Sequence, residues 1–400
     1  MTVDAVFREK CIESNKKEYG LRYESLRFMT DDEAAEAQKK RSDLLVCLEN
    51  KVEWGFSGTK ADCGNLSQGC RLCGAGQWSC LFVNNLCNAS CFYCPSSQEE
   101  KSVPATNTVM FAAPEEYAAY LKKFGFTGCS ISGGEPLLTP KLTLSYIRAV
   151  KKAFGSSIYM WMYTNGTLVT DEILINLRDA GLDEIRFDIG AAGYRLDKLK
   201  AACGVIPVVT VEIPAVPEDV ELMKKLMSEL ADIGVKHLNL HQLRLTPHNF
   251  SEMIKRNYTY IHGESVAVLE SEFAALELMK HAKESGIDLP VNYCSFVYKN
   301  RFQGLASRRR NAAFVLREGE EITENGYIRT FAEKDAGRSV TYYQARQLSS
   351  VSYRNPFTEV KLTKSKKVAI ERLKASAELP EENPERGRFE RVAEGLQNYF

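Results

Sequence analysis

The sequence predicts an α/β protein built on a parallel sheet, closed or partly closed into a barrel of six strand–helix units. Three observations carry that expectation. From residue 80 onward, short apolar runs alternate with helical patterns, the repeat that builds βαβ units. Prolines stand at 114, 140 and 217, where the first turn of a helix accepts them. Polar residues recur at every second position of several strand-like runs, so one face of those strands is apolar and the other is not.

Taken in order, residues 1–60 read as a mainly helical, polar extension. Thr30 and Glu33 have capping-box spacing and open a helix that runs to about Glu49. Residues 61–80 are rich in glycine and cysteine and read as a metal-bound loop. Strands are expected at 80–85, 126–132, 157–163, 183–189, 206–213 and 236–242. Helices are expected near 114–124, 140–154, 170–180, 194–202, 217–233 and 265–285. The barrel then spans 81–294, and 295–400 form a small appended domain or lid. Within that tail, Glu320 to Phe331 reads as a hairpin turning at Asn325-Gly326, and 364–376 and 384–399 read as charged helices.

Composition narrows the function. With 400 residues, one large domain with appendages is expected. Fifty-two basic residues balance 52 acidic ones, which argues against strong nucleic-acid binding. Arg308-Arg309-Arg310 reads as a solvated helix face. No apolar leader and no membrane-length apolar run is evident, so a soluble, cytoplasmic protein with no membrane partner is expected. Twelve cysteines without such a leader point to metal ligation rather than disulfides.

Cys87, Cys91 and Cys94 are spaced C-x3-C-x2-C, directly after the apolar run Leu81-Phe82-Val83. A [4Fe-4S] cube normally takes four thiolates, so three leave one iron open to a ligand. Spacing alone also allows a zinc knuckle or three buried thiols. Tyr93 precedes the last cysteine, and Gly133-Gly134-Glu135-Pro136 follows the next apolar strand. With these motifs in this order, residues 80–294 resemble the radical S-adenosylmethionine (SAM) superfamily, whose fold is a partial (β/α)6 barrel. The resemblance implies that Cys87, Cys91 and Cys94 hold the cluster and that SAM chelates the open iron. It also implies that Tyr93 lies by the adenine and that Gly133, Gly134 and Glu135 meet the SAM amino group. Reductive cleavage of SAM to a 5′-deoxyadenosyl radical, and hydrogen abstraction from an unreactive carbon, is the activity implied. A flavodoxin or ferredoxin as electron donor follows from the same resemblance.

A second group, Cys63, Cys70, Cys73 and Cys80, precedes these motifs. Four thiols at this density favour a tetrahedral iron or zinc ion, with a second iron–sulfur cluster as the alternative. The run GCRLCGAGQWSCLFVNNLCNASCFYCP resembles an uncharacterised group related to pyruvate formate-lyase activating enzyme. It is also similar to the methanogenesis marker radical SAM family that methylates an arginine carbon with cobalamin. That likeness keeps cobalamin open as a cofactor, although the chain has no D-x-H-x-x-G segment.

If the apolar positions of each strand face outward, Arg186, Asp188, Thr210, Glu212, Asn239, His241, Ser130 and Ser132 turn into the barrel. Buried charges must be paired or face a ligand. A structural Arg186–Glu212 pair and a ligand pocket are the two readings. Asp188, Glu212 and His241, with Asn165, fall at C-terminal strand ends, where barrel sites lie. The resemblance gives Asp188 or Arg186, and Glu212, to SAM contacts. His241 and Arg186 are the candidates for catalysis, with an interior structural histidine as the plain alternative for His241. Asn165 is expected to order the third loop. The long segment Leu243–Ser265 is either a lid or a short surface helix packed on the appended domain, and Cys294 a buried free thiol. The first functional reading is modification of a peptide or protein residue. The alternatives are cobalamin-dependent C-methylation, a small metabolite substrate, glycyl-radical enzyme activation, or a non-catalytic metal-stapled binding protein.

Overall fold

The computed structural model describes residues 3–56, 59–99, 101–107, 109–316, 318, 320–322, 326–333 and 386–392. The chain divides into two compact units, Met1–Thr106 with Met110–Gln303, and Asn107–Val109 with Gly304–Phe400.

The first unit carries a curved sheet whose central strands are all parallel. Their spatial order is Val291–Cys294, His237–His241, Val208–Pro214, Glu184–Phe187, Tyr159–Thr164, Gly128–Gly133 and Trp78–Asn84. Six of these are the strands expected from sequence. The connecting helices are Pro114–Lys123, Pro140–Phe154, Asp171–Asp179, Asp197–Ala202, Val220–Asp232 and Leu269–Glu284. Pro114 and Pro140 each stand in a first turn, and Thr170 Oγ1 caps Asp171–Asp179 by accepting from Ile173 N. Outward-facing Ile185, Phe187, Val209, Val211, Leu238 and Leu240 are buried beneath the helix layer. This is the partial α/β barrel expected.

Three features depart from the sequence reading. The sheet continues past the sixth strand through Val291–Cys294. It then turns antiparallel at the hairpin Glu53–Gly55 and Lys60–Asp62, which begins in the segment read as helical and ends in the one read as loop. These strands are three or four residues long and charged in part, so they carry no period that a sequence window can detect. The cysteine-rich stretch is not all loop. Ser67 Oγ accepts from Cys70 N and starts the helix Gln68–Gly74. Ser295–Gln303, assigned by sequence to the tail, belongs to the first unit, because Ser295 Oγ donates to Thr59 O and Phe296 N donates to Gln242 Oε1.

The N-terminal capping box forms: Glu33 N donates to Thr30 Oγ1 and Thr30 N to Glu33 Oε2, opening Asp31–Cys47. Leu243–Ser265 holds a short helix, Phe250–Met253. Its Leu243, Leu245, Phe250, Met253, Tyr258 and Tyr260 pack with Tyr19, Tyr23 and Leu26 of the N-terminal segment. It is a packed cap: most of its apolar side chains are buried, with Ile254 exposed.

In the second unit, helix Gly304–Val315 accompanies a sheet of Glu320–Ile322, Tyr327–Glu333 and Arg386–Val392. The expected hairpin strands pair antiparallel, while Asn325 of its turn lies outside the described residues. The expected helix 364–376 lies wholly outside them. The helix expected at 384–399 is corrected: Arg386–Val392 is a strand paired along Tyr327–Glu333. Gly387 weakens a helix there, and pairing satisfies a backbone edge that would otherwise stay open. No described helix is long and apolar enough to cross a membrane.

Candidate active site

The loop carrying Cys87, Cys91 and Cys94 leaves the C-terminal end of Trp78–Asn84, the first parallel strand. Backbone bonds shape it: Cys87 N donates to Gln98 O, and Cys94 N to Cys91 O. All three thiols are half-buried. Burial, then Asp188, pushes the Cys91 thiol up to about 12.

Gly133 and Gly134 bring the next strand end against this loop. Gly133 has φ +127°, and a Cβ there would run into Asn84 O. A Cβ on Gly134 would strike Leu86 O and the Cys87 backbone. Only glycine permits this approach. Glu135 turns inward, where its carboxylate accepts from Asn165 N (2.7 Å), Thr164 Oγ1 (2.9 Å) and Leu137 N (3.0 Å). Burial raises its pKa, against the pull of those donors. The Glu135 side chain therefore braces the strand ends. Asn165 extends the brace, with Nδ2 donating to Asn88 Oδ1 at 2.8 Å and lying 3.8 Å from Cys87 Sγ.

Tyr93 Oη lies 2.9 and 3.0 Å from the two oxygens of Asp188, which ties the cysteine loop to the end of the fourth parallel strand. Burial raises the Asp188 carboxyl to about 6, although Tyr93 and the N–H groups of Ala191 and Gly190 favour its charge. From the other side, Asn249 Nδ2 donates to Tyr93 O at 3.2 Å and Arg256 stacks 3.5 Å from the Phe92 ring centroid. Asn249 and Arg256 belong to the packed cap.

Below these residues lies a continuous polar interior. Arg186 is 3% exposed and donates through Nε and Nη2 to both Glu184 oxygens, through Nη1 to Glu212 Oε2 at 2.6 Å, and through Nη2 to Ser67 Oγ. Trp161 and Tyr163 stack against it. Its donors are thus engaged within the protein, and it fixes Glu212. Burial alone would raise the Glu212 carboxyl, but Arg186, then His241, holds it well below the usual carboxylate range. His241 Nε2 meets Glu212 Oε1 at 2.6 Å, while its Nδ1 is buried without a hydrogen-bond partner. Glu184, a fully buried acid at the start of its strand, was missed by the sequence reading; the position-2 alternation with Arg186 was the available signal.

The second cysteine group is divided. Cys70 and Cys73 lie one turn apart on Gln68–Gly74 and face the interior, where Asn239 Nδ2 donates to Cys70 Sγ at 3.3 Å. Cys80 meets Ser130 and Ser132 inside the barrel. Cys63 follows Lys60–Asp62, and the charges around it are Lys283 and Asp62 rather than the other thiols. Cys294 is the buried free thiol expected from sequence, and it accepts from Lys60 Nζ at 3.0 Å. Burial pushes its thiol up, but Lys60, then His241 and Lys299, bring it down to about 6. Among the described residues, no three His, Cys, Asp or Glu side chains are already gathered tightly enough to hold a metal ion, in this interior or in the Cys87–Cys94 loop.

The donor set of that loop nevertheless fits a [4Fe-4S] cluster. It offers three soft thiols on one short, backbone-shaped segment, which Gly133 and Gly134 approach at Asn84–Cys87.

The model of the radical SAM superfamily matches residues 81–204. A Methanocaldococcus jannaschii protein provisionally named a glycyl-radical enzyme activating enzyme is 33% identical over 276 residues, covering 66% of this chain and 72% of its own. A GTP 3′,8-cyclase of Rhodopirellula baltica is 31% identical over 110 residues, 27% of this chain and 30% of its own. Among solved structures, Streptococcus suis SuiB bound to S-adenosylmethionine is 14% identical, with a TM-score of 0.43 over 82% of this chain and 71% of that one.

Proposed function

Because this chain belongs to the radical SAM superfamily, we propose that it is an enzyme that modifies a polypeptide, taking hydrogen from an unreactive carbon of a protein residue. The observation that carries the site is the approach of Gly133-Gly134 to the Asn84–Cys87 backbone, which braces the start of the three-cysteine loop. When bound, the cluster and SAM would supply the one-electron, radical-generating chemistry that hydrogen removal from an unreactive carbon requires.

The chain's own residues bind, orient and exclude water. Cys87, Cys91 and Cys94 hold the cluster. Gly133 and Gly134 offer backbone to the SAM amino group, and Glu135 and Asn165 keep that backbone in place. Tyr93, whose hydroxyl donates to Asp188, would line the adenine side, and the Asp188 carboxylate would accept from ribose hydroxyls. Arg186 holds Glu212 ionised at the strand ends. The protein-directed reading rests on the name of the Methanocaldococcus jannaschii relative, whose stated target is a protein.

The test is anaerobic reconstitution with iron and sulfide, followed by SAM and dithionite, with products read by mass spectrometry. 5′-Deoxyadenosine that disappears in Cys91→Ala supports the proposal. S-adenosylhomocysteine formed only with added cobalamin replaces it with C-methylation. A chain holding a full cluster that neither cleaves SAM nor changes its paramagnetic resonance spectrum on SAM addition sinks it.

A further inference from the structure

The two halves of the cysteine loop are held by different parts of the chain. Its start is braced by Gly133 and Gly134. Its far half turns between Cys91 and Cys94, where Cys94 N donates to Cys91 O at 3.0 Å. Phe92 and Tyr93 span that turn. They pack, partly buried, against a second apolar cluster that includes Tyr19 of the N-terminal segment and Phe250, Met253 and Tyr258 of the cap.

Two cap side chains grip this turn. Asn249 is 3% exposed. Its Nδ2 donates to Tyr93 O at 3.2 Å and to Arg244 O at 3.1 Å, and its Oδ1 accepts from Thr246 N at 2.7 Å. Tyr93 O and Cys94 N belong to one planar trans peptide group, so they point in opposite directions. Asn249 therefore holds one end of that group while Cys91 O holds the other. The orientation of the turn is thus tied to a residue 156 positions away from Tyr93. Arg256 covers the neighbouring ring. Its guanidinium lies 3.5 Å from the Phe92 centroid, and its Nη1 donates to Glu218 Oε1 at 2.7 Å. Tyr258 Oη lies 2.7 and 3.0 Å from the two oxygens of the same carboxylate. Burial alone would raise the Glu218 carboxyl, but Tyr258, then Arg256, hold it below its ordinary value. A planar cation anchored at its edge by a carboxylate keeps its face on an aromatic ring.

We propose that Asn249 and Arg256 are positioning residues for the three-cysteine loop, and that Glu218 keeps Arg256 in place. The loop's own backbone makes the Cys91–Cys94 turn; the cap sets where its two thiols point. The proposal rests on the reading of this loop as the cluster site. Neither residue makes or breaks a bond, and both act through Phe92 and Tyr93. The cap is itself tied to the N-terminal segment, with Tyr19 Oη donating to Leu245 O at 3.0 Å and Tyr260 N to Arg27 O at 2.8 Å. The extension ahead of the barrel therefore reaches the site by this route.

The test uses the full-length chain in two states. In the metal-free chain, hydrogen exchange over residues 87–96 is read by mass spectrometry, with helix Pro140–Phe154 as the reference. Arg256→Gln should speed exchange over that segment about three- to tenfold and leave the reference unchanged. Arg256→Lys keeps a cation over the ring and should stay closer to the parent. Asn249→Asp keeps the acceptor for Thr246 N, loses the donor to Tyr93 O, and should loosen the segment at least as much as Arg256→Gln. In the reconstituted, reduced chain with SAM added, the paramagnetic resonance spectrum should change in Arg256→Gln and return toward the parent's in Arg256→Lys. Parent-like exchange over the segment in folded Arg256→Gln overturns the proposal. Equal acceleration in the segment and the reference helix also overturns it, because the contact then supports the whole fold. So does a resonance spectrum identical to the parent's in fully loaded Arg256→Gln. A parent chain that takes up no cluster sinks the functional reading instead, and exchange in the metal-free chain still decides whether Asn249 and Arg256 hold the loop.

Discussion

The thiols of the Cys87–Cys94 loop and those of the barrel interior are the same chemical group in two kinds of setting. In the loop, all three sulfurs lie within eight residues and are placed largely by their own backbone. In the interior, Cys70 and Cys294 are placed by side chains from several strands: Asn239, Asn292 and Lys60. The loop is locally specified, so damage to it should cost chemistry before stability. The interior is globally specified, so damage there should cost the fold as well.

The largest contrast should come from Cys91→Ala, which removes a cluster ligand. 5′-Deoxyadenosine formation should fall to background while the denaturant midpoint of the metal-free chain stays near wild type. A shift of the midpoint as large as that of an interior variant would erase the distinction. Glu212→Ala should behave in the opposite way. It leaves Arg186 and Glu184 in a broken buried network, and unfolding free energy should drop by about 3–5 kcal/mol. An unchanged urea midpoint would show that the interior charges are solvated.

Gly134→Ala probes the border between the two regions. Its methyl meets Leu86 O, so a loss of about 1–3 kcal/mol is expected together with poorer cluster incorporation, read as iron per chain after reconstitution. Normal iron content would mean that the loop yields. Asp188→Asn gives the smallest effect, visible in pH dependence. The folded carboxyl sits at about 6, above the ordinary value near 4. Its stabilising contribution is therefore complete below about pH 4 and is lost as pH rises through about 6. Relative to wild type, the asparagine variant should gain stability between those limits. Parallel stability curves over that window would remove the cause assigned to Asp188.

What was legible in the sequence follows the same line. The C-x3-C-x2-C motif, Gly133-Gly134-Glu135, the Thr30–Glu33 cap and the six strand–helix units are written in neighbouring residues. The inward Arg186, Glu212, Asn239 and His241 followed from strand alternation. The seventh strand and the hairpin that closes on it did not, because three or four residues show no period and their identity as strands comes from pairing across the sheet. Nor does proximity along the chain show that Lys60, 234 residues away, reaches Cys294. Arg386–Val392 was misread for a related reason: its charges suit a helix surface, while Tyr327–Glu333 supplies the partner that makes it a strand.

The contact between Lys60 and Cys294 spans 234 residues. While the chain is being made, Cys70 and Cys73 leave the ribosome long before the strand that will face them. At about 5–20 residues per second, that interval is roughly 10–50 seconds. During it the early thiols are open to oxidation and to any passing metal. The polar heart of the barrel is therefore a late event in folding, and the conditions of that interval decide whether it forms with its thiols intact.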